Sequence, residues 1–343
     1  MQRYRRQNTK REASSILSTI KTGIAALALF ALTTAASAEE LQRITIGLAS
    51  GSLPSAAPRI AQQMGLFEKH GLDPKITQMD DSSVATMALI SGSIDFSVTA
   101  PSDVIISQAR GQQLVAVATI YGGYSPVLVL SKSVAEQTGV SPTAPVIDRL
   151  RALNGLLIAS TSAISNFTLG LKCATGTAGS TVRLTYMSQP AMVAALETGA
   201  VQGFMNAAPY YAVSALKGTG VIWVSGPRGE FPPGCATTYA ATLNTSRRYA
   251  EVNPEVIRRV KAVFAEFADS VRHRPEDVKS AIAALFPDMS RSTIDLVFES
   301  EASGYAAAPP TAEGIAREIA FVRMGGVTIP GLDRLDPARL IIP

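Results

Sequence analysis

A unit that recurs along the chain restricts its fold more than any other feature: a short strand, a small polar turn, then a helix. Arg43-Ile44-Thr45-Ile46-Gly47-Leu48 alternates polar and apolar residues at strand period. A Gly/Ser turn runs from Ser50 to Ser55, and Pro58, Ile60, Ala61, Met64 and Phe67 then recur at helical spacing, with Ser55 as the expected cap and Gly71 as the stop. The unit returns as a strand over 72–79, the turn Asp80-Asp81-Ser82-Ser83 and a helix ended at Gly92. It returns again as a strand over 94–99, the turn Ala100-Pro101-Ser102 and a helix ended at Gly111, and Gln113 to Tyr121 supplies a further β-branched strand. Such alternation builds a mostly parallel sheet covered by helices, the α/β class.

A second copy of this pattern begins after Pro126 to Leu130 and the loose stretch Ser141 to Pro145. Strands are expected at 156–159, 182–187, 201–205 and 221–224, with helices beginning after Ser160-Thr161-Ser162, at Gln189 and after Asn206-Ala207-Ala208-Pro209. The chain then returns through 237–243 into helices near 254–273, 275–285, 290–302 and 312–323, which are expected to pack on the first lobe. Asn253-Pro254-Glu255 is a strong helix start: a capping residue, proline at the first position and an acid near the positive end of the dipole. The expected organisation is residues 39–130 plus 237–343 as one lobe, with 131–236 inserted as the second.

The first 38 residues read differently. Six basic side chains against one acid lead into the apolar run Gly23 to Leu32 and then to Ala36-Ser37-Ala38, the layout of a cleavable secretory signal with cleavage after Ala38. The apolar run is short of the roughly 20 residues a membrane span needs. Without this segment the 31 basic and 27 acidic residues of the chain become 25 and 26, a net charge of −1. The basic balance of the whole chain therefore gives no ground for nucleic-acid binding, which needs a basic face on the folded domain. The remaining 305 residues exceed what one core usually supports, so two lobes and an exported, periplasmic location are expected. In an oxidising compartment Cys173 and Cys235 are permitted a disulfide, while two distant cysteines serve equally well as buried thiols.

Ligands of open parallel sheets sit beyond the carboxyl ends of the strands, where loops and helix N-termini converge. Five turns of small polar residues fall at such ends: 50–55, 80–83, 99–102, 160–165 and 206–209. Helix N-termini favour anionic groups without lysine or arginine, and Ser52, Ser82, Ser83, Thr99, Ser162 and Ser165 add hydroxyls. Each such serine also serves as a cap or turn residue. Asp80-Asp81 has two roles open to it, binding a ligand amine or stabilising the following helix, and the helix role is preferred. Among Tyr121, Tyr124, Tyr210, Tyr211 and Trp223, Tyr210 is the one expected at a cleft. Nucleophile-elbow, phosphate-loop, dinucleotide and metalloprotease motifs are absent from the sequence. The two histidines, His70 and His273, sit in charged helix ends, so neither catalytic residues nor a metal nor a cofactor is expected.

Gly65-Leu66-Phe67-Glu68-Lys69-His70-Gly71-Leu72-Asp73 and Ala88-Leu89-Ile90-Ser91-Gly92-Ser93-Ile94-Asp95-Phe96, with Pro209-Tyr210-Tyr211 and Ala250-Glu251-Val252-Asn253-Pro254-Glu255, resemble the nitrate/sulfonate/taurine-type (NMT1/THI5-like) substrate-binding proteins of ABC importers. The resemblance implies a type II two-lobed periplasmic binding protein fold, each lobe a mostly parallel sheet with helices on both faces. It implies contact loops at Gly51-Ser52-Leu53, Ser82-Ser83, Thr99-Ala100-Pro101 and Ser160-Thr161-Ser162, joined by Asn206 and Tyr210, with hinge crossings near 127–130 and 238–243. The implied function is hinge-closing capture of a small anionic or heteroaromatic solute by a monomer that serves a permease of the inner membrane. A pyrimidine-precursor binding or synthesis protein and a ligand-sensing subunit are the alternatives. Sulfonate-binding members look to carry an aromatic and an acid where this chain has Ala207-Ala208, which implies a roomier, less polar pocket.

Overall fold

The computed structural model describes residues 40–79, 81–305, 308–324 and 329–342. The expected signal segment and Asp80 lie outside them. Ten strands are present among the described residues. Four come first, β1 (Gln42–Leu48), β2 (Leu72–Gln78), β3 (Phe96–Thr99) and β4 (Leu114–Gly122). Five follow, β5 (Val127–Ser131), β6 (Leu157–Ser160), β7 (Arg183–Tyr186), β8 (Gly203–Asn206) and β9 (Gly220–Ser225), and β10 (Tyr239–Ser246) comes last.

They form two five-stranded sheets of the same plan, ordered β2-β1-β3-β10-β4 and β7-β6-β8-β5-β9. In each sheet the fourth strand runs antiparallel to both neighbours: β10 between β3 and β4, β5 between β8 and β9. These two strands are the ones the chain delivers on passing from one sheet to the other, so the crossing imposes their direction. The other four strands of each sheet run the same way, as the strand-turn-helix alternation predicts. The passages themselves occupy residues 123–126 and 226–238; of the expected hinge residues, 127–130 lie within β5, 239–243 lie within β10, and Thr238 falls in the return passage. A run of β-branched and leucine residues pairs on both edges more readily than it serves as a link.

Where local expectation and structure differ, the backbone gives the reason. The predicted helix after Ser55 is split into Ala57–Gln63 and Leu66–Lys69 by Gly65, which sits at φ 70°, a left-handed conformation that breaks the helix. Ser55 closes a short 3₁₀ turn, and Ala56 takes the cap position. Asn253 does precede Pro254–His273, but its amide donates to the Tyr249 carbonyl (3.0 Å) rather than capping the helix. That helix buries Val256, Val260, Val263, Phe264, Phe267 and Val271, one face at three- and four-residue spacing, against the first sheet. The helix expected after Ser160-Thr161-Ser162 spans Asn166–Ala178.

The sheets share one apolar cluster that includes Ile44, Val98 and Phe264 on one side and Met192, Phe204 and Tyr211 on the other. Its polar centre is Glu301, fully buried on the helix Arg291–Tyr305. One carboxylate oxygen accepts from Tyr211 (3.2 Å) of the second sheet's helices, and the other accepts from Tyr121 at the end of β4. Gly304, one turn further along, lets the helix lie against Tyr121: a Cβ there would stand 2.1 Å from the ring. Cys173 and Cys235 form a disulfide, joining the helix Asn166–Ala178 to the return passage. The final helix, Ala312–Met324, also reaches the second lobe, where Phe321 packs near Tyr124.

Two outcomes follow for stability. Replacing both cysteines by serine opens a covalent link across 62 residues and is expected to lower unfolding free energy by about 2–4 kcal/mol in urea titration. Burial raises the Glu301 carboxyl from 4.5 to about 7, so between those values the folded protein holds a proton that the unfolded chain releases. Its contribution is therefore complete below about pH 4.5 and is lost as pH rises to about 7, at up to ~1.4 kcal/mol per pH unit. Glu301→Gln is expected to make the fall in stability between about pH 4.5 and 7 shallower, Glu318 and Asp103 supplying the remainder; an unchanged slope would place that titration elsewhere.

Candidate functional site

The two sheets face each other across a cleft of about 510 Å³, which lies in the usual range for small-molecule sites. The carboxyl ends of their strands open onto it, and four helices begin at its wall. Their N-cap residues, Asp81, Ala100, Ser165 and Ser188, all line the cleft. Asp81 caps its helix by accepting from the N–H groups of Ser83 (2.6 Å) and Val84 (3.0 Å), and Ser165 accepts from that of Thr168 (3.3 Å). Ala100 and Ser188 provide no side-chain cap, so the first turns of Pro101–Ala109 and Gln189–Glu197 present N–H groups without a side-chain acceptor.

Of the residues singled out in the sequence, Gly51, Ser52, Ser82, Thr99, Ala100, Thr161, Ser162 and Tyr210 line the cleft. Four stand behind its surface, and Ser83 lies outside the lining. Leu53 is buried in the 3₁₀ turn, its N–H donating to the Ala208 carbonyl (2.7 Å) and its carbonyl accepting from the Tyr305 hydroxyl. Ser83 is exposed on its helix, and Pro101 is buried beneath Ala100. Ser160 is fully buried beside the Thr168 hydroxyl (2.7 Å), and Asn206 is fully buried with its amide donating to the Gln189 carbonyl (3.0 Å). These buried polar groups hold the loops from behind. Ala207 and Ala208 are likewise fully buried and do not face the cleft, so their small size does not widen it. Tyr121, Tyr124, Tyr211 and Trp223 are core residues.

Further lining residues went unrecognised: Gln78, Asp103, Asn166, Phe167, Tyr186 and Gln189. Asn166 and Gln189 are the first residues of helices, and placing first-turn side chains at strand ends is the signal that finds them. Both are buried, 5% and 6% exposed, yet the Asn166 Nδ2 and Gln189 Nε2 atoms have no hydrogen-bond partner, and the Ser162 hydroxyl is also unpartnered. Buried polar atoms are rarely left so. The Gln189 Oε1 atom is occupied, accepting from the Ser50 hydroxyl at 2.5 Å and thereby bridging the two walls. Below, the Thr99 hydroxyl accepts from the Asn244 amide (3.0 Å), which fixes the cleft floor.

The electrostatics run against a cationic cradle. No lysine, arginine or histidine lines the cleft among the described residues, whereas Asp81 and Asp103 do. Burial is the main cause that raises the Asp103 carboxyl from 3.8 to about 7, with the Asp81 charge adding to it and hydrogen bonds from Ser82 and Ala100 opposing. The Tyr210 phenol is raised by burial. His70 and His273 lie away from the cleft, paired with Glu266 (2.9 Å) and Asp269 (2.9 Å). Among the described residues no cluster of metal-ligating side chains occurs, and no helix is long and apolar enough to cross a membrane.

Two facing five-stranded sheets, linked twice and enclosing a cleft at their strand ends, define the two-lobed periplasmic binding protein fold of the α/β class. Residues 37–286 match the NMT1-like family, and the chain belongs to it. Among solved structures, a protein of Bordetella bronchiseptica RB50 superposes with a TM-score of 0.72 at 19% identity, over 88% of this chain and 95% of the other. The periplasmic aliphatic sulphonate binding protein SsuA of Escherichia coli does so at 0.64 and 22%, over 86% and 97%. The alkanesulfonate-binding protein SsuA of Xanthomonas axonopodis pv. citri, bound to MOPS, gives 0.66 and 17%, over 86% and 98%. No curated protein matches by sequence.

The orphaned amide of Asn166 has a measurable consequence. A buried donor without a partner costs about 1–3 kcal/mol. Asn166→Leu is expected to stabilise the ligand-free protein by about 1 kcal/mol in urea unfolding while impairing solute binding, the exchange of stability for function typical of binding sites. Destabilisation by a similar amount would mean that the amide is satisfied in the unliganded protein.

Proposed function

We propose that this chain is an exported receptor of an ABC importer, capturing a small organic solute between its lobes and presenting the closed form to a permease in the inner membrane. Residues 1–38 serve as the signal segment and are removed after Ala38. The lobes follow the expected division, 39–130 plus 237–343 and 131–236, except that β5 (Val127–Ser131) goes with the second, and they close by bending at the two passages between sheets. The receptor acts as a monomer, needs neither cofactor nor metal, and performs no covalent chemistry. Gly51, Ser52, Ser82, Thr99, Ala100, Thr161, Ser162 and Tyr210 contact the solute, while Leu53, Ser83, Pro101, Ser160 and Asn206 shape the loops that carry them.

One observation carries this reading above the others: the unpartnered atoms of Ser162, Asn166 and Gln189, buried at the wall of a cleft that four helix N-termini face. The receptor reading needs no covalent chemistry of the lining residues, which hold one hydroxyl beside a titratable carboxyl, Ser82 at Asp103, and no histidine. Names of structural neighbours support the receptor role, two of them being sulfonate-binding proteins and one the ligand-binding component of an ABC-type import system. Native mass spectrometry of protein taken from the periplasm of its own cells is expected to show a retained small molecule. That molecule, added back at 100 times its dissociation constant, should stabilise the stripped protein by about 2.7 kcal/mol. Cytoplasmic retention of the protein, or the absence of any bound species and of any stabilising solute, would overturn the reading.

A further inference from the structure

The receptor reading leaves the solute open, and the two walls of the cleft differ in a way that narrows it. On the second lobe's wall the unsatisfied atoms are donors: the amide nitrogens of Asn166 and Gln189, each on a side chain more than nine-tenths buried, and the Ser162 hydroxyl. They call for an oxygen acceptor. On the first lobe's wall stands Asp103, in the opening turn of Pro101–Ala109, with its neighbour Ser82 and with Asp81 beyond. One oxygen of the Asp81 carboxylate is committed to the N–H groups of its own helix, and Asp103 accepts from Ser82 and Ala100 with capacity to spare. Asp103 has no cation among the described lining residues to neutralise it, so it calls for an N–H donor.

A simple anion satisfies one wall only. A sulfonate or nitrate group could accept from Asn166 and Gln189, but no described lining cation compensates its charge, and the same cleft brings it towards two carboxyls. Hydroxyls and helix N-termini offset part of that cost, and they do so equally for the oxygen end of a molecule whose other end is a donor.

We propose that the cleft selects a solute that presents an N–H donor, as an ammonium or an amino-heterocycle, to Asp103 and a carboxylate or carbonyl oxygen to Asn166 and Gln189. This rests on the receptor reading and adds to it the chemistry of both ends of the ligand. Phe167, Tyr186 and Tyr210 line the same space and give the body of such a solute an aromatic wall. The donor end pairs with a carboxylate in a partly buried site, where a charge-assisted hydrogen bond is stronger than a neutral one.

Matched probes separate this from an anion site. Isothermal titration and thermal-shift measurements on stripped protein would compare 4-aminobutyrate with butyrate, and 6-aminonicotinate with nicotinate, with propanesulfonate as a further anion. The pairs differ in the amino group, and the first pair tests ammonium where the second tests an amino-heterocycle. At least one amino probe is expected to bind tenfold or more tightly than its partner. Asp103→Asn should erase that preference and Asp103→Glu should keep part of it, while Asn166→Ala with Gln189→Ala should weaken the amino probe and its partner alike. Circular dichroism and the melting temperature of each unliganded variant confirm that the fold is retained. Anions that bind as well as the amino probes, or that bind more tightly to Asp103→Asn, would overturn the proposal and leave the receptor reading intact. Failure of both amino probes in wild-type protein would overturn it as well. Failure of every probe together with the absence of any retained solute would instead remove the receptor reading on which it rests.

Discussion

Everything in this molecule that bears on binding hangs on the pair of passages between its sheets, and these are tied directly to each other. The Gly123 N–H donates to the Thr238 carbonyl at 2.7 Å, and the Thr237 hydroxyl donates to the Gly123 carbonyl at 3.2 Å. Glu318, fully buried on the last helix, accepts from the N–H groups of Thr238 and Tyr239 and so holds the return passage from behind. Its carboxyl, like that of Glu301, is raised by burial to about 7. Each glutamate thus sits where a passage meets a helix of the C-terminal part of the chain. The sheets inherit their order from this arrangement, because each receives its antiparallel strand from a passage.

From that order comes the direction of the helices. The parallel strands end at the cleft, so the helices that follow them begin there, and four partial positive ends point at one volume. The binding surface is consequently built mostly from turn residues and first-turn side chains, positions that cost the fold little and can vary in chemistry. Side chains behind the surface do the opposite work. Asn206, Asn244 and Thr168 are buried and hydrogen-bonded, and they fix loops that would otherwise be free to rearrange.

Much of this was legible in the sequence, because the strand-turn-helix alternation is a local signal. The glycine at 92, which ends its helix in the left-handed conformation, illustrates how such punctuation works. Chain length and the repeated pattern pointed to two lobes, and the small polar turns hold Gly51, Ser52, Ser82, Thr99, Ala100, Thr161 and Ser162 of the cleft lining. What stayed hidden is non-local. Alternation cannot reveal that β5 and β10 run antiparallel, since strand direction depends on where a crossing enters the other sheet. Ser160 and Asn206 resemble Thr161 and Ser162 in sequence position, and only the pleat decides which of them faces solvent. Asp103 escaped notice because an acid in the first turn of a helix is expected on dipole grounds alone.

That last residue shows how one position can satisfy two demands. An acid three residues past the Ala100 cap favours its own helix, and the same placement turns the carboxyl towards a cleft whose burial resists its ionisation. The opposite wall carries amides that have no hydrogen-bond partner. Each wall is thus incomplete alone, one lacking a donor and the other an acceptor, and a molecule with both ends completes them together. On the proposed reading, binding would draw the lobes towards each other through the solute, in the direction that the Ser50 to Gln189 hydrogen bond already spans. Closure would be driven by the differential affinity of the two walls for one ligand, which is the only way a ligand can shift such an equilibrium.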